Sequence, residues 1–343
     1  MDSRYNDSYG WEKTFGGKIM NDFLLSIVIP VYCEEKQIKK SVAKIHDILL
    51  KNEIGHEFIL IDDGSKDGTW GEIRDILHEV PGVKAARLSR NFGKEPALCA
   101  GLEAVTGDAC VVIDADLQHP PELIPEMVRL WREEGYDVVE GVKVSRGKEG
   151  IINKIGAFFF YRLLKKLSGI DLNRASDFKL LDEKVIFAWR QMNERNTFFR
   201  GMSAWVGFKR TSISFVVADR EEGKSKWSVF RLFRLAINAI TSFSSLPLHI
   251  ITFLGVVFLI ISFVLGIQTL YMKFNGGAVS GFSTVILLLL IIGSALMISL
   301  GIIGTYIAKI FDEVKLRPRY IVSERIESSH TCGSKRCYDE MGN

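Results

Sequence analysis

Charge is almost missing from one long stretch of this 343-residue chain. Residues 246–308 hold a single charged side chain, Lys273, although charged residues make up 25% of the whole. That absence excludes one uniform soluble domain and divides the chain into a charged part and an apolar part. A strong net charge is also lacking: the balance is +3, too small to point to a nucleic-acid binder. The five cysteines (Cys33, Cys99, Cys110, Cys332 and Cys337) are odd in number and form no CxxC pair, which excludes a disulfide scaffold. Cys33, Cys99 and Cys110 read as reduced thiols, and no His or Cys follows Cys332 and Cys337 at zinc-ligand spacing. No apolar segment opens the chain, so the charged part is expected in the cytoplasm. Neither GxxxxGK[ST] nor GxGxxG occurs, so a glycine-rich cradle for phosphate is not expected.

What is present begins with two apolar runs, Leu248 to Met272 and Phe282 to Ile307, joined by the short polar turn Lys273 to Gly281. Each is long enough to cross a hydrocarbon core of roughly 30 Å, so a transmembrane hairpin is expected. Lys224, Lys226, Arg231 and Arg234 precede it, and Lys309, Lys315, Arg317 and Arg319 follow it. By the positive-inside rule both flanks are cytosolic. With no other internal charge the pair reads as an anchor rather than a transport path, and Gly293, Gly301 and Gly304 suit close helix packing. Trp227 to Phe243 places Val229, Phe230, Phe233, Ala236, Ile237 and Ile240 at helical spacing, which predicts an amphipathic helix at the membrane surface.

Residues 24–143 alternate apolar runs with amphipathic stretches. Strands are expected at 24–31, 57–63, 83–89, 109–116 and 137–143, with helices at 36–51, 69–79, 95–105 and 121–134. This order predicts an α/β fold with a mostly parallel sheet covered on both faces, and ligands beyond the carboxyl ends of its strands. The polar clusters Glu34–Glu35, Asp62–Asp63, Asn91–Glu95 and Asp114–Gln118 all fall at those ends. Asp114 and Asp116 are hard oxygen ligands that suit Mg²⁺ or Mn²⁺ bridging a diphosphate. Alone, a DxD is a weak signal, because acidic turns are common.

The ordered set IVIPVYCEE, LIDDGSKDGT, RNFGKEPALCAGLEAVTGD and VVIDADLQHPPELIP resembles glycosyltransferase family 2. SDFKLLD, ERNTFFRGMSAWVGFKR, EEGKSKWSVFRLFRLAINAITSFS and the two apolar runs narrow the likeness to its polyisoprenyl-phosphate branch, over about residues 24–310. The resemblance implies a GT-A nucleotide-sugar-binding fold over 23–222 after a flexible segment 1–22. It also implies an amphipathic helix over 223–246, two transmembrane helices over 247–310 and a cytosolic tail over 311–343. It implies inverting transfer of a sugar, glucose from UDP-glucose as the first choice, to polyprenyl phosphate at the cytoplasmic membrane. Homotetramers are implied as well. Pro30, Tyr32, Glu34, Asp62, Asp63, Lys94 and Gln118 match donor-binding positions, and Cys33 stands where relatives have Asn. Asp62 and Asp63 are also expected to cap the DDGSKDGT turn.

Asp116 and Gln118 correspond to the metal site, and Asp114 to a contact with ribose, sugar or metal shell. Lys143, Arg146, Arg200, Arg220 and Lys226 fall where an acceptor phosphate is expected, a role that suits cations. Asp177 reads either as an acid–base or orienting residue or as a structural carboxylate paired with Arg195 or Arg200. His119, before two prolines, reads as a turn residue. A processive polysaccharide synthase is disfavoured because the QxxRW motif is absent; Trp189-Arg190-Gln191 has the wrong order. A non-catalytic membrane scaffold is disfavoured by the retained Asp62, Asp63, Asp114, Asp116 and Gln118.

Overall fold

The computed structural model describes residues 23–143, 176–192, 194, 199–215, 246–275 and 281–328. Arg146, Arg220, Lys226, the 223–245 stretch of the expected surface helix, Cys332 and Cys337 lie outside these residues. In chain order the elements are β1 (Leu25–Val31), α1 (Ile38–Lys51), β2 (His56–Asp62), α2 (Thr69–Glu79), β3 (Val83–Leu88), α3 (Lys94–Ala104), β4 (Ala109–Val112), α4 (Ile124–Glu134) and β5 (Val138–Lys143). There follow β6 (Lys179–Asp182), α5 (Glu183–Gln191), α6 (Phe199–Trp205), β7 (Arg210–Phe215), α7 (Leu246–Phe274), α8 (Phe282–Val314) and β8 (Val322–Glu327).

The strands form one eight-stranded sheet in the order β7-β5-β6-β4-β1-β2-β3-β8. β4, β1, β2 and β3 pair in parallel, as do β5 and β7, whereas β6 and β8 run antiparallel to their neighbours. Alternation along each strand builds two cores. Leu25, Ile27, Ile29, Phe58, Leu60 and Val111 face α1, α2 and α4, while Val28, Ile59, Ile61 and Val112 face α3, α5 and α6. The sheet is therefore covered on both faces, as the α/β reading expects.

Two segments differ from the sequence reading. The strand expected over 109–116 ends at Val112, and Asp114 to Gln118 turn out of the sheet with Leu117 at φ 54°. The segment 311–343 is not only a tail. Val322–Glu327 returns from α8 and pairs antiparallel with β3, with Ala85 opposite Ile326 and Leu88 opposite Val322. Ser89 N–H donates to Ile321 O at 2.8 Å, and Trp70 Nε1 and Arg74 Nη2 donate to Glu324 at 2.9 and 2.5 Å.

β7 and β8 are the two lateral edges of the sheet. β7 ends at Phe215 beside Lys143, and β8 begins at Val322 beside Leu88. The chain thus leaves and re-enters the sheet at the same carboxyl-end rim, on opposite sides. Between those points α7 and α8 contain two segments long and apolar enough to cross a membrane, Leu248–Gln268 and Ile291–Val314. α8 has 33 residues, about 50 Å of helix. It is longer than the expected apolar run because it continues through Lys309, Asp312 and Glu313.

Behind the sheet, His46 of α1 meets His56 of β2. Their Nδ1 and Nε2 atoms are 2.8 Å apart, and His56 Nδ1 lies 2.8 Å from Ile54 O. His56 Nδ1–H therefore donates to the carbonyl, and its Nε2 accepts from His46. Burial pushes His56 down to about 4 from an ordinary 6.5. Between those values the unfolded chain binds the extra proton, so stability is intact above pH 6.5 and falls as pH drops toward 4. The loss is on the order of 3 kcal/mol. Thermal melting of the full chain in detergent should show this fall, and His56→Gln should flatten it. A His56→Gln protein with the wild-type pH slope would place the titration elsewhere.

Candidate active site

The carboxyl-end rim gathers the polar loops. Pro30, near the end of β1, and Tyr32, just past it, lead into a turn in which Cys33 adopts φ 56°. A left-handed residue is easier for Asn than for Cys, so Cys33 carries some local strain. Its N–H donates to Ser65 Oγ at 2.9 Å, and Glu34 N–H donates to Thr69 Oγ1 at 3.0 Å. Glu35 accepts Gly68 N–H at 3.1 Å. Tyr32 is not packed at the strand end: it is 43% exposed at the rim.

Asp62 and Asp63, at the end of β2, are both buried. Asp62 Oδ1 accepts Ser65 N–H at 2.9 Å, which closes the expected turn. Its Oδ2 lies 3.2 Å from Arg87 Nε but has no aligned hydrogen-bond donor among the described residues. Asp63 accepts Phe92 and Gly93 N–H at 2.7 and 2.8 Å, so it holds the loop that launches α3 and Lys94. Burial raises the Asp63 pKa against these two bonds. Gly64 has φ +68°, and a Cβ there would come within 2.5 Å of the Arg90 backbone, so only glycine permits this turn to pass the next loop.

Across the rim runs a chain of opposite charges. Lys94 Nζ lies 2.6 Å from Asp114 Oδ1 and 2.9 Å from Asp177 Oδ2. Arg200 of α6 grips Asp177 with two bonds, Nε to Oδ1 at 2.7 Å and Nη2 to Oδ2 at 2.9 Å. Burial alone would raise Asp177, but the Arg200 bonds and the charges of Lys94 and Arg200 hold it well below the usual carboxylate range. Such a carboxylate stays ionised near neutrality, and its partner is Arg200, one of the two pairings expected of a structural carboxylate. Burial would lower Lys94, yet Asp177 and Asp114 outweigh it and hold the ammonium above its ordinary value. Next to Lys94, Glu95 accepts Phe199 N–H at 2.7 Å and anchors the start of α6; burial pushes its pKa up to about 7.

Asp116 is exposed, and its Oδ1 accepts Gln118 N–H at 3.0 Å. Burial raises the Glu34 pKa, and the nearby charges of Asp116, Asp67 and Asp114 raise it further. Among the described residues no three His, Cys, Asp or Glu groups form a complete metal cage. Asp116, the Gln118 amide and an acidic neighbourhood nevertheless fit a hard divalent cation that takes its remaining oxygens from phosphate and water. His119 packs between Phe178 and Phe215, with ring centres 5.4 and 5.9 Å away, and its Nδ1 is 4.0 Å from Asp114 Oδ2. It buttresses the acidic turn, in keeping with the expected turn role.

Asp114, Lys94, Asp177 and Arg200, drawn from four separate motifs, therefore come together, with Glu34 and Asp116 beside Asp114. Lys143 stands exposed at the end of β5 on the same rim. Sequence reasoning places Glu95 only within the Asn91–Glu95 cluster and does not single out Arg87, Glu140, Lys179, Ser203 or Arg210. The available signal was a charge inside an apolar strand, as in VVEGVK and KLLD. Arg190 serves the scaffold, donating to the carbonyls of Leu102, Glu103 and Val105 at the end of α3.

Residues 26–187 match Glycosyl transferase family 2. A glycosyltransferase of Synechocystis sp., itself uncharacterised, is 39% identical over 302 residues, covering 88% of this chain and 95% of that protein. A prophage bactoprenol glucosyl transferase homolog of Escherichia coli is 36% identical over 300 residues, covering 87% and 98%. The SfII prophage-derived bactoprenol glucosyl transferase of Shigella flexneri is 36% identical over 305 residues, covering 88% and 97%. The likeness covers most of this chain and nearly all of each relative, and with it the chain belongs to glycosyltransferase family 2, as an enzyme of the branch that includes the bactoprenol glucosyl transferases.

Proposed function

We propose that this enzyme transfers a sugar, glucose from UDP-glucose by preference, to the phosphate of polyprenyl phosphate at the cytoplasmic face of the membrane, with inversion. The observation that carries this reading is the continuous Asp114–Lys94–Asp177–Arg200 chain, which joins the acidic donor turn to a cation on the far side of the rim. The names of the relatives support the acceptor class, and the apolar helices support its membrane location.

In this reading Tyr32, Glu34 and Asp62 border the nucleoside. Asp63 holds the loop behind it. Lys94 faces the diphosphate. Arg200, with Lys143, Arg146, Arg220 and Lys226, receives the lipid phosphate. Asp116 and Gln118 would hold Mg²⁺ or Mn²⁺, whose charge offsets that building on the leaving diphosphate. A phosphate monoester is largely anionic near neutrality and needs no strong base. One of its oxygens forms the new bond to the anomeric carbon as the bond to the diphosphate oxygen breaks and its electron pair leaves with UDP. Alignment and charge neutralisation then supply most of the rate.

The deciding experiment is a transfer assay on the full chain in nanodiscs with undecaprenyl phosphate, Mg²⁺ or Mn²⁺, and labelled UDP-glucose, UDP-N-acetylglucosamine, a UDP-pentose and GDP-mannose. Label entering the lipid from UDP-glucose is the expected result. Label from another donor alone would replace the sugar, and no label from any donor would overturn the reading. Arg200→Ala should raise the KM for the lipid phosphate by about 10–100-fold, the worth of one charge-assisted paired contact, while UDP affinity stays within about twofold. An unchanged acceptor KM would remove Arg200 from the acceptor site.

A further inference from the structure

Behind the rim, on the side of the sheet that faces α6, three charged side chains lie across β6, β5 and β7. Lys179 is fully buried, and its Nζ is 3.0 Å from Glu140 Oε1. The same oxygen accepts Arg210 Nη2 at 2.7 Å. Glu140 and Lys179 are register partners on adjacent antiparallel strands, so their side chains leave the sheet on one face. Apolar residues of similar volume stabilise such positions as well as a buried ion pair does, or better. Stability alone therefore does not explain the charges.

What they touch is α6. Lys179 Nζ donates to Ser203 Oγ at 2.7 Å and lies 4.9 Å from the centre of the Phe199 ring. Ser203 Oγ in turn donates to Arg200 O at 3.2 Å. α6 has seven residues, too few to hold itself as a helix, so outside contacts must set its place. Two of them bracket Arg200: Glu95 at the Phe199 N–H, and Lys179 through Ser203.

We propose that Lys179 is a positioning residue for Arg200, acting through the Ser203 hydroxyl to fix where the guanidinium meets Asp177 and the acceptor phosphate. This rests on the proposed function in one respect, that Arg200 meets a lipid phosphate. The Glu140–Arg210 pair holds Lys179 from the opposite side and keeps its ammonium aimed at α6.

The experiment measures donor and acceptor KM separately for the full chain in nanodiscs with undecaprenyl phosphate. Ser203→Ala keeps the Lys179–Glu140 pair and removes only the link. It should raise the acceptor KM about tenfold, leave the donor KM within twofold and leave the melting temperature nearly unchanged. Ser203→Thr, which restores the hydroxyl, should recover the acceptor KM. Lys179→Met should reproduce the acceptor defect, and Ser203→Ala keeps the test decisive should the methionine variant fail to fold. In an Arg200→Ala background Ser203→Ala should add nothing. An unchanged acceptor KM, equal changes in both KM values, or a full additional loss in the Arg200→Ala background would each overturn the assignment. A wild-type protein that transfers no sugar would overturn the proposed function itself and this assignment with it; a transferring wild type beside an unaffected Ser203→Ala overturns this assignment alone.

Discussion

Asp116→Asn is expected to reduce sugar transfer on the order of a thousandfold, the scale seen when a charge-stabilising group is removed from a transition state. The fold should tolerate the change. Asp116 is exposed, its bond to Gln118 N–H can be accepted equally by an amide oxygen, and exposed substitutions usually shift stability by less than about 0.5 kcal/mol. What the amide cannot supply is negative charge for a hard cation. Two readouts separate this from a packing defect. Melting temperature should stay near the wild-type value, and Mn²⁺ binding in the presence of UDP, followed by the electron paramagnetic resonance of the free ion, should weaken strongly. Transfer within tenfold of wild type would take Asp116 out of the metal site and leave the acidic turn without its main assignment.

Ending the chain at Leu316 is expected to damage the catalytic domain itself, not only its membrane attachment. That cut removes β8, and with it the antiparallel ladder on β3, the Glu324 partner of Trp70 and Arg74, and the Ser328 contacts with Val83. It also strips Ile326 from one core and Tyr320 and Val322 from the other. Together these losses are on the order of 5 kcal/mol, comparable to the whole stability of a marginal domain. A drop in melting temperature of about 10–20 °C follows for a domain of this size. A chain ending at Ser328 keeps every one of these contacts and should melt like the full protein. Equal melting of the two truncations would show that β8 adds nothing to the sheet.

The central sheet is legible in the sequence because its strands are short apolar runs bounded by turns, and because α1, α2 and α4 carry clear one-sided periodicity. β8 is not. Its sequence VSERIE has only two apolar residues, and its partner lies about 240 residues earlier in the chain, so no local pattern marks it. β4 reads four residues too long because VVIDAD stays apolar up to the acids, whereas the pairing stops where Asp114 must turn out of the sheet. Within the site, the acidic motifs and the basic residues are readable as types. Their partnerships are not. Nothing in DDG says that Asp63 holds the Phe92–Gly93 amides, and nothing in SDFKLLD says that Asp177 joins Lys94 to Arg200. Those facts depend on loops from β2, β3, β4 and β6 meeting at one rim. Lys179 and Glu140 are visible only as charges in strands that otherwise bury nearly every side chain, a conflict that is resolved when the two strands pair.

The chain leaves the sheet at Phe215 and returns at Val322, at the two ends of the same rim. Seven strand spacings, roughly 34 Å, separate those edges. A domain hung from a bilayer by one linker swivels freely, and its crevice samples every tilt. One suspended from two well-separated points loses most of that rotation, as a swing on two ropes keeps its seat facing one way. With α7 and α8 in lipid, attachment at both edges of the sheet limits the headings the carboxyl-end rim can take over the bilayer. Under the proposed function, a headgroup diffusing in two dimensions then meets fewer orientations of the crevice before reaction, an entropic saving built into chain connectivity rather than into any contact with substrate.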